Sequence, residues 1–278
     1  MKIAFVNTNM VTCGGIITNY EYVKEIRQRG IEANLYANDG NTELEKSYGI
    51  KQVPIENLDG CGDEDVIIAN RWEQCSELEK YKGRKIQFVQ GNDRYYYESV
   101  NHCDLQKMID TRNNPNWELI GVSEYVLKDW GRGTVISNGI NSRFFQKLDV
   151  ERDIDALVEG TNENLKNIDY AIQKAKEDGH KRIVWMGRET KPVEGVECIT
   201  NPPQEEIPKI YQRAKHFYKY SHSEGFSLPV VEAKASGCIL HLGDMGHNFP
   251  EDFDPKQYTW SKACDKLLEY LNGTNTKS

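Results

Sequence analysis

The sequence predicts an α/β protein built from two parallel-sheet domains. Short runs rich in Val and Ile alternate with helix-length amphipathic stretches; the alternation breaks at a polar, irregular stretch, 141–153, and then restarts. Size agrees: 278 residues, 38% hydrophobic and 28% charged, suit two domains with their own cores rather than a disordered chain.

In the first half the predicted strands are Lys2–Asn7, Ala33–Ala37, Val66–Ala69, Lys85–Gln90, Leu119–Val122 and Thr134–Ser137. Strands buried on both faces read as unbroken apolar runs, as Val66-Ile67-Ile68-Ala69 does. One helix is predicted from about Ile16 to Arg29, stopping at Gly30, and another after Ser123, a candidate N-cap. The second half opens with a strand, Ile154–Glu159, and a helix near Leu165–Glu177 closed by Gly179. Strands Arg182–Met186, Val196–Ile199, His216–Tyr220 and Cys238–Leu242 follow. A last helix, Trp260–Leu271, carries Trp260, Ala263, Cys264, Leu267, Leu268 and Leu271 on one face. The chain therefore divides into residues 1–147, 148–255 and a terminal helical segment, 256–278.

Several classes are excluded. No run approaches eighteen apolar residues, and Lys2-Ile3-Ala4-Phe5-Val6 turns polar at Asn7, too early for a secretory leader, so no transmembrane segment and a cytoplasmic location are expected, with peripheral membrane association left open. Seven cysteines, Cys13, Cys61, Cys75, Cys103, Cys198, Cys238 and Cys264, are odd in number and dispersed, without a C-x-x-C pair, and are expected to be free thiols. A net charge of −8 opposes broad nucleic-acid binding, and the local basic cluster Lys80, Lys82, Arg84 and Lys85 reads as a solvated loop.

The most informative segment is Ser221-His222-Ser223-Glu224-Gly225-Phe226-Ser227-Leu228-Pro229-Val230-Val231-Glu232-Ala233. A strand precedes it, Pro229 suits a first helical position, and Gly237 suits the stop. Glu232 is then expected in the first turn of a helix whose free N–H groups face back toward Glu224. Such a helix start attracts phosphate, whereas an ionised carboxylate there suits paired ribose hydroxyls, accepting a hydrogen bond from each. The bland alternative is an ordinary strand, turn and helix with a solvated Glu232.

The two glutamates with their Gly, Phe, Ser and Pro resemble the donor-site signature of glycosyltransferase family four, retaining enzymes of GT-B architecture. The resemblance extends over nearly the whole chain. Gly14-Gly15 looks like the family's glycine loop, and Gly121-Val122-Ser123-Glu124 and Val135-Ile136-Ser137-Asn138-Gly139-Ile140 resemble stretches that end the first domain. It implies two Rossmann-like domains facing a cleft, here in a short version, with the last helix crossing back to the first domain. It also implies roles: Lys166 on the departing diphosphate, Glu224 on the sugar, Glu232 on the ribose, and Gly15, Phe226, Ser227 and Leu228 lining the donor site. Lys166 and Glu224 are the expected catalytic residues.

Three positions depart from the family pattern. Thr161 stands where an Arg is usual, removing a cation from the phosphate site, and Arg188 is the candidate replacement. Asn70 and Gln90 stand where histidines are common on the sugar and acceptor side, with Gly14 beside them; amides bind but do not titrate near neutrality.

The implied reaction moves a sugar from a nucleoside-diphosphate sugar, with UDP the expected nucleotide, to an acceptor hydroxyl. No cofactor is expected, and no metal: in the resemblance no Asp-x-Asp cluster stands where a divalent ion would bridge the phosphates, and the acids Asp63, Glu64 and Asp65 are poor candidates for coordinating one. The acceptor, whether glycan, lipid head group, protein or nucleic acid, is not legible. Three rivals stay open: a nucleotide-sugar epimerase of the same architecture, a catalytically weak binding or scaffold homologue, and a glycosyltransferase acting on modified DNA through Arg94-Tyr95-Tyr96-Tyr97.

Overall fold

Apolar runs become the central strands of two sheets. The structure, a computed structural model, describes residues 1–7, 14–37, 42–54 and 64–273. Cys13, Cys61 and Asp63 lie outside the described residues. Two compact units emerge, Met1–Asn138 with Trp260–Ser278, and Gly139–Thr259.

In the first unit the strands are β1 (Lys2–Asn7), β2 (Glu32–Ala37), β3 (Val53–Pro54), β4 (Val66–Ala69), β5 (Arg84–Val89), β6 (Glu118–Gly121) and β7 (Thr134–Val135). They are parallel, in the order β3-β2-β1-β4-β5-β6-β7. The helices between them are α1 (Gly14–Gln28), α2 (Thr42–Tyr48), α3 (Cys75–Leu78), α4 (Asp93–Ser99), α5 (Leu105–Asn113) and α6 (Glu124–Leu127). Every residue of β4 is buried, as its unbroken apolar run requires.

The second unit has β8 (Ile154–Glu159), α7 (Ile168–Glu177), β9 (Ile183–Gly187), β10 (Val196–Thr200), α8 (Ile207–Arg213), β11 (Ala214–Lys219), α9 (Leu228–Ala235) and β12 (Ile239–Leu242). Its strands are also parallel, in the order β10-β9-β8-β11-β12. Trp185, Tyr218, Val158, Ile168 and Ile172 meet in its core. Each large side chain buried there contributes about 1.5–3 kcal/mol of transfer free energy.

The last helix, α10 (Trp260–Leu271), packs within the first unit. Trp260 sets its edge on Tyr22, ring centroids 5.7 Å apart, and Tyr22 also packs on Phe5 and Phe88. Arg29 of the segment after α1 reaches Asp265 at 2.7 Å. Arg84 caps the far end, donating to the Leu271 carbonyl at 2.8 Å, where a cation also meets the negative end of the helix dipole.

Two local expectations are revised. The helix predicted near Leu165–Glu177 is split: a 3-10 turn, Asn164–Lys166, precedes α7, and Asn167 between them is left-handed at φ 49°. Asn tolerates that conformation better than most residues, and its amide is held by the Tyr220 carbonyl at 3.2 Å. Ser123 does stand at the N-cap of α6, with extended backbone, but its side chain makes no capping bond. Cys75, Cys103, Cys198, Cys238 and Cys264 are free thiols. Among the described residues no helix is long and apolar enough to cross a membrane.

Strand order places the functional ends. In each sheet the chain winds outward in both directions from one point, between β1 and β4 in the first and between β8 and β11 in the second. Ligands of open α/β sheets bind beyond the carboxyl ends of strands at such a switch point. At the second, the backbone is crowded: a Cβ on Gly187 would lie 2.1 Å from the Gly160 carbonyl oxygen, which also accepts from Trp185 Nε1 at 2.8 Å. Gly187→Ala should therefore cost about 1–3 kcal/mol in urea unfolding. Gly91→Ala, where an added Cβ meets nothing within 4 Å, serves as the comparison and should be near neutral. Equal midpoints for the two variants would refute the crowding argument.

Candidate functional site

The turn leaving β8 is stitched to the loop leaving β11. His222 N–H donates to the Leu165 carbonyl at 2.8 Å, and the Asn167 amide donates to Tyr220 O. Glu224 is pinned in turn, its N–H donating to Met245 O at 2.8 Å. Across the seam Lys166 Nζ donates to Glu224 Oε1 at 2.9 Å, so the two residues expected to be catalytic are in direct contact.

Beneath that pair lies a lysine the sequence reading passed over. Lys219, the last residue of β11, is 3% exposed. Its ammonium contacts Glu159 Oε2 at 2.7 Å, the Glu159 carbonyl at 3.3 Å and Glu224 Oε1 at 3.5 Å. Burial works against its charge, but Glu159 and then Glu224 outweigh that and hold the ammonium above lysine's usual range. For Glu224, burial alone would raise the carboxyl; Lys219 and Lys166 overcome it and bring it down to about 2. Glu224 is thus firmly ionised.

Glu232 behaves oppositely. It is the fifth residue of α9, one position deeper than predicted and so just past the first turn, because the helix begins at Leu228 rather than at Pro229. Burial first, and then the charge of Glu159, push its carboxyl up to about 8, against the pull of the Tyr211 hydroxyl bond and of Lys219. Such a carboxyl holds its proton to a higher pH than an ordinary glutamate, so an ionised ribose acceptor here forms against the burial.

The remaining predicted donor-site residues are divided. Ser227 is the N-cap of α9, and its hydroxyl is buried with no partner among the described residues. Such a group is completed when a ligand supplies a hydrogen bond. Leu228 opens the helix with Pro229 in its first turn, and Gly237, at φ 81°, ends it as predicted, with Cys238 N–H reaching back to the Ala233 carbonyl at 2.9 Å. Phe226 is 7% exposed and packs among His247, Phe249 and Tyr258, so its ring braces the loop. Thr161 sits inside the turn, its carbonyl accepting from Glu163 N–H at 2.8 Å. Arg188 leaves β9 half-exposed, with Glu163 at 4.0 Å and Glu189 at 3.9 Å, contacts loose enough to exchange for a ligand.

In the first unit, Gly14 and Gly15 form the first residues of α1 rather than a loop ahead of it, and the Thr18 hydroxyl donates to Gly14 O at 2.8 Å. Gln90, just beyond β5, donates to Gly15 O at 3.3 Å, so two candidates that are far apart in sequence meet. Asn70, just beyond β4, has a carboxamide whose oxygen and nitrogen are both buried without a partner among the described residues. An unsatisfied buried amide costs about 1–3 kcal/mol, which a polar ligand would recover. Lys219, Glu159 and Tyr211 were missed: a lysine among aromatics in a strand reads as an outward-facing residue, and no local pattern names its partners.

No family model and no curated protein matches this sequence. Solved structures do. The sucrose-phosphate synthase from Thermosynechococcus elongatus is similar over 100% of both chains, with TM-score 0.74 and 12% identity. Anabaena HepE, in complex with UDP and glucose, matches over 97% of this chain and 95% of its own, with TM-score 0.70 and 12% identity. An α-glucosyltransferase in complex with UDP and DNA matches over 98% and 90%, with TM-score 0.63 and 13% identity. Likeness across whole chains at such low identity establishes the fold: two parallel α/β units in the GT-B glycosyltransferase architecture.

Proposed function

We propose that this chain is a retaining glycosyltransferase that moves a sugar from a nucleoside-diphosphate sugar, with UDP as the nucleotide, to an acceptor hydroxyl. One observation carries the reading: at the β8/β11 switch point Lys166, a partly exposed cation, is held by the ionised Glu224, with Glu232 on the helix that follows. UDP in complexes of similarly folded proteins supports the choice of nucleotide.

In this reading Lys166 turns to the diphosphate, aided by the start of α9 and by Arg188 where Thr161 supplies no charge. Charge-assisted hydrogen bonds of this kind contribute roughly 1.5–3 kcal/mol each. Glu224 holds sugar hydroxyls and Glu232 the ribose. The bond from the anomeric carbon to the phosphate oxygen breaks, its electron pair leaving with the diphosphate. The acceptor oxygen bonds to the same face of that carbon, and its proton passes to a departing phosphate oxygen. No protein nucleophile and no metal enter this scheme; preorganised charge does the catalysis. Asn70 and Gln90 are the groups proposed for the acceptor side. A DNA acceptor is disfavoured, although Tyr95 and Tyr96 are exposed, since Arg94 is already paired with Glu98 at 2.7 Å and the net charge is −8.

Thermal shift with UDP, GDP, ADP and CMP and their sugar conjugates tests the reading. At a hundredfold its dissociation constant, a bound donor adds about 2.7 kcal/mol of stability. One nucleotide class should stabilise the wild type and fail to stabilise Glu232→Ala; if none stabilises the wild type, a non-catalytic scaffold becomes the better description. A pH series adds a second check. Ribose hydroxyls donate best into an anion, so binding should expel the Glu232 proton, and affinity for UDP-glucose should fall as pH drops below about 8. The slope should approach about tenfold per pH unit, and Glu232→Gln should flatten it. A wild-type affinity that is independent of pH across this range would remove the ribose role.

A further inference from the structure

Glu224 is served by two ammoniums of very different freedom. Lys166 lies 2.9 Å from Oε1, on a 3-10 turn, with its side chain 27% exposed. Lys219 approaches the same oxygen to 3.5 Å, but it is 3% exposed and locked between the carboxylate and carbonyl of Glu159. A ligand can draw the first cation away and cannot reach the second. We propose that Lys219 is a positioning residue, a fixed counter-charge that keeps Glu224 ionised and in place so that Lys166 is free to leave it for the donor's diphosphate. This deepens the donor-binding reading and rests on it.

The physical need is specific. Without Lys219, moving Lys166 to a phosphate would strand a buried carboxylate, which is strongly unfavourable, so Glu224 would compete with the ligand for Lys166. With Lys219 present, one cation stays after the other departs. The groups around Glu224 are Lys166 from the turn after β8, Lys219 and Ser221 from β11 and its end, and, one layer beyond, Glu159 of β8, Tyr211 of α8 and Glu232 of α9.

The test is a double-mutant cycle on the full chain, titrated calorimetrically with UDP, ADP and GDP. One axis is Lys166→Gln; the other is the joint change Glu159→Gln with Lys219→Met, which removes both charges and so leaves neither stranded. The joint change should weaken nucleotide binding about tenfold or more when Lys166 is present and less than about twofold when it is not, since coupled residues depart from additivity. Equal factors in both backgrounds would mean that Lys219 only supports the fold, and the proposal would fail while donor binding stood. If the wild type binds none of the three nucleotides, both readings fall together. A second pair of variants covers a misfolded joint variant. Lys219→Arg, which keeps the charge, should retain affinity within about threefold, whereas Lys219→Gln should lose about tenfold. Equal losses in these two would point to side-chain shape rather than charge and overturn the proposal.

Discussion

Burying the ammonium of Lys219 commits the second unit to a particular set of neighbours. A desolvated charge persists only beside opposite charge, and the carboxylates it meets are Glu159, at the end of β8, and Glu224, in the loop leaving β11. Lys219 and Glu159 are each the last residue of their strand, one position beyond the register pair Tyr218 and Val158. A slip of one residue between β8 and β11 would turn one partner to the opposite face and leave the other charge uncompensated. The charge pair and the sheet register therefore enforce one another, and the loop carrying Glu224 is fixed by both.

The same pair sets the ionisation of the whole site. Three acids, Glu159, Glu224 and Glu232, stand beside two lysines, Lys166 and Lys219, and the proton affinity of Glu224 and Glu232 is set by which of these neighbours each one meets. Glu224, touching both cations, is brought down to about 2 against its burial, whereas burial and then the charge of Glu159 push Glu232 up to about 8 despite the Tyr211 hydroxyl bond. Two glutamates eight positions apart thus acquire opposite pKa shifts from their surroundings. Environments that push neighbouring acids apart in this way are characteristic of sites that handle ligands.

How much of this could be read from the residues depends on the range of each cause. α10 was legible to its ends because its apolar stripe is local, β1 and β4 because their burial leaves unbroken apolar runs, and β8 because Ala156, Leu157 and Val158 form one despite Asp155. The start of α9 and its stop at Gly237 were legible from proline and glycine chemistry. α4 was not, since its sequence, Asp-Arg-Tyr-Tyr-Tyr-Glu-Ser, has no periodic stripe and its start depends on Asn92 accepting from Tyr95 N–H at 2.9 Å. Nor was β3, two residues long. Lys166, Glu224 and Glu232 were found through resemblance; the contact between the first two, the buried Lys219 and the raised Glu232 all depend on partners brought from distant strands, which no local spacing encodes.

The buried lysine does not do the work that a cation at position 161 would do. In the transferase reading an arginine at that position would meet the diphosphate, whereas the charge of Lys219 faces Glu159 and Glu224 and is buried. Arg188 stands near Glu163 and Glu189 at 4.0 and 3.9 Å, whereas Lys166, the partly exposed lysine at the switch point, is engaged by Glu224 at 2.9 Å. In the transferase reading a diphosphate must recruit Lys166 from that engagement. The energy of recruitment depends on what Glu224 keeps, and what it keeps is Lys219. In that reading, with Thr161 contributing no charge, the release of Lys166 to a ligand rests on the cation that Glu224 retains, Lys219.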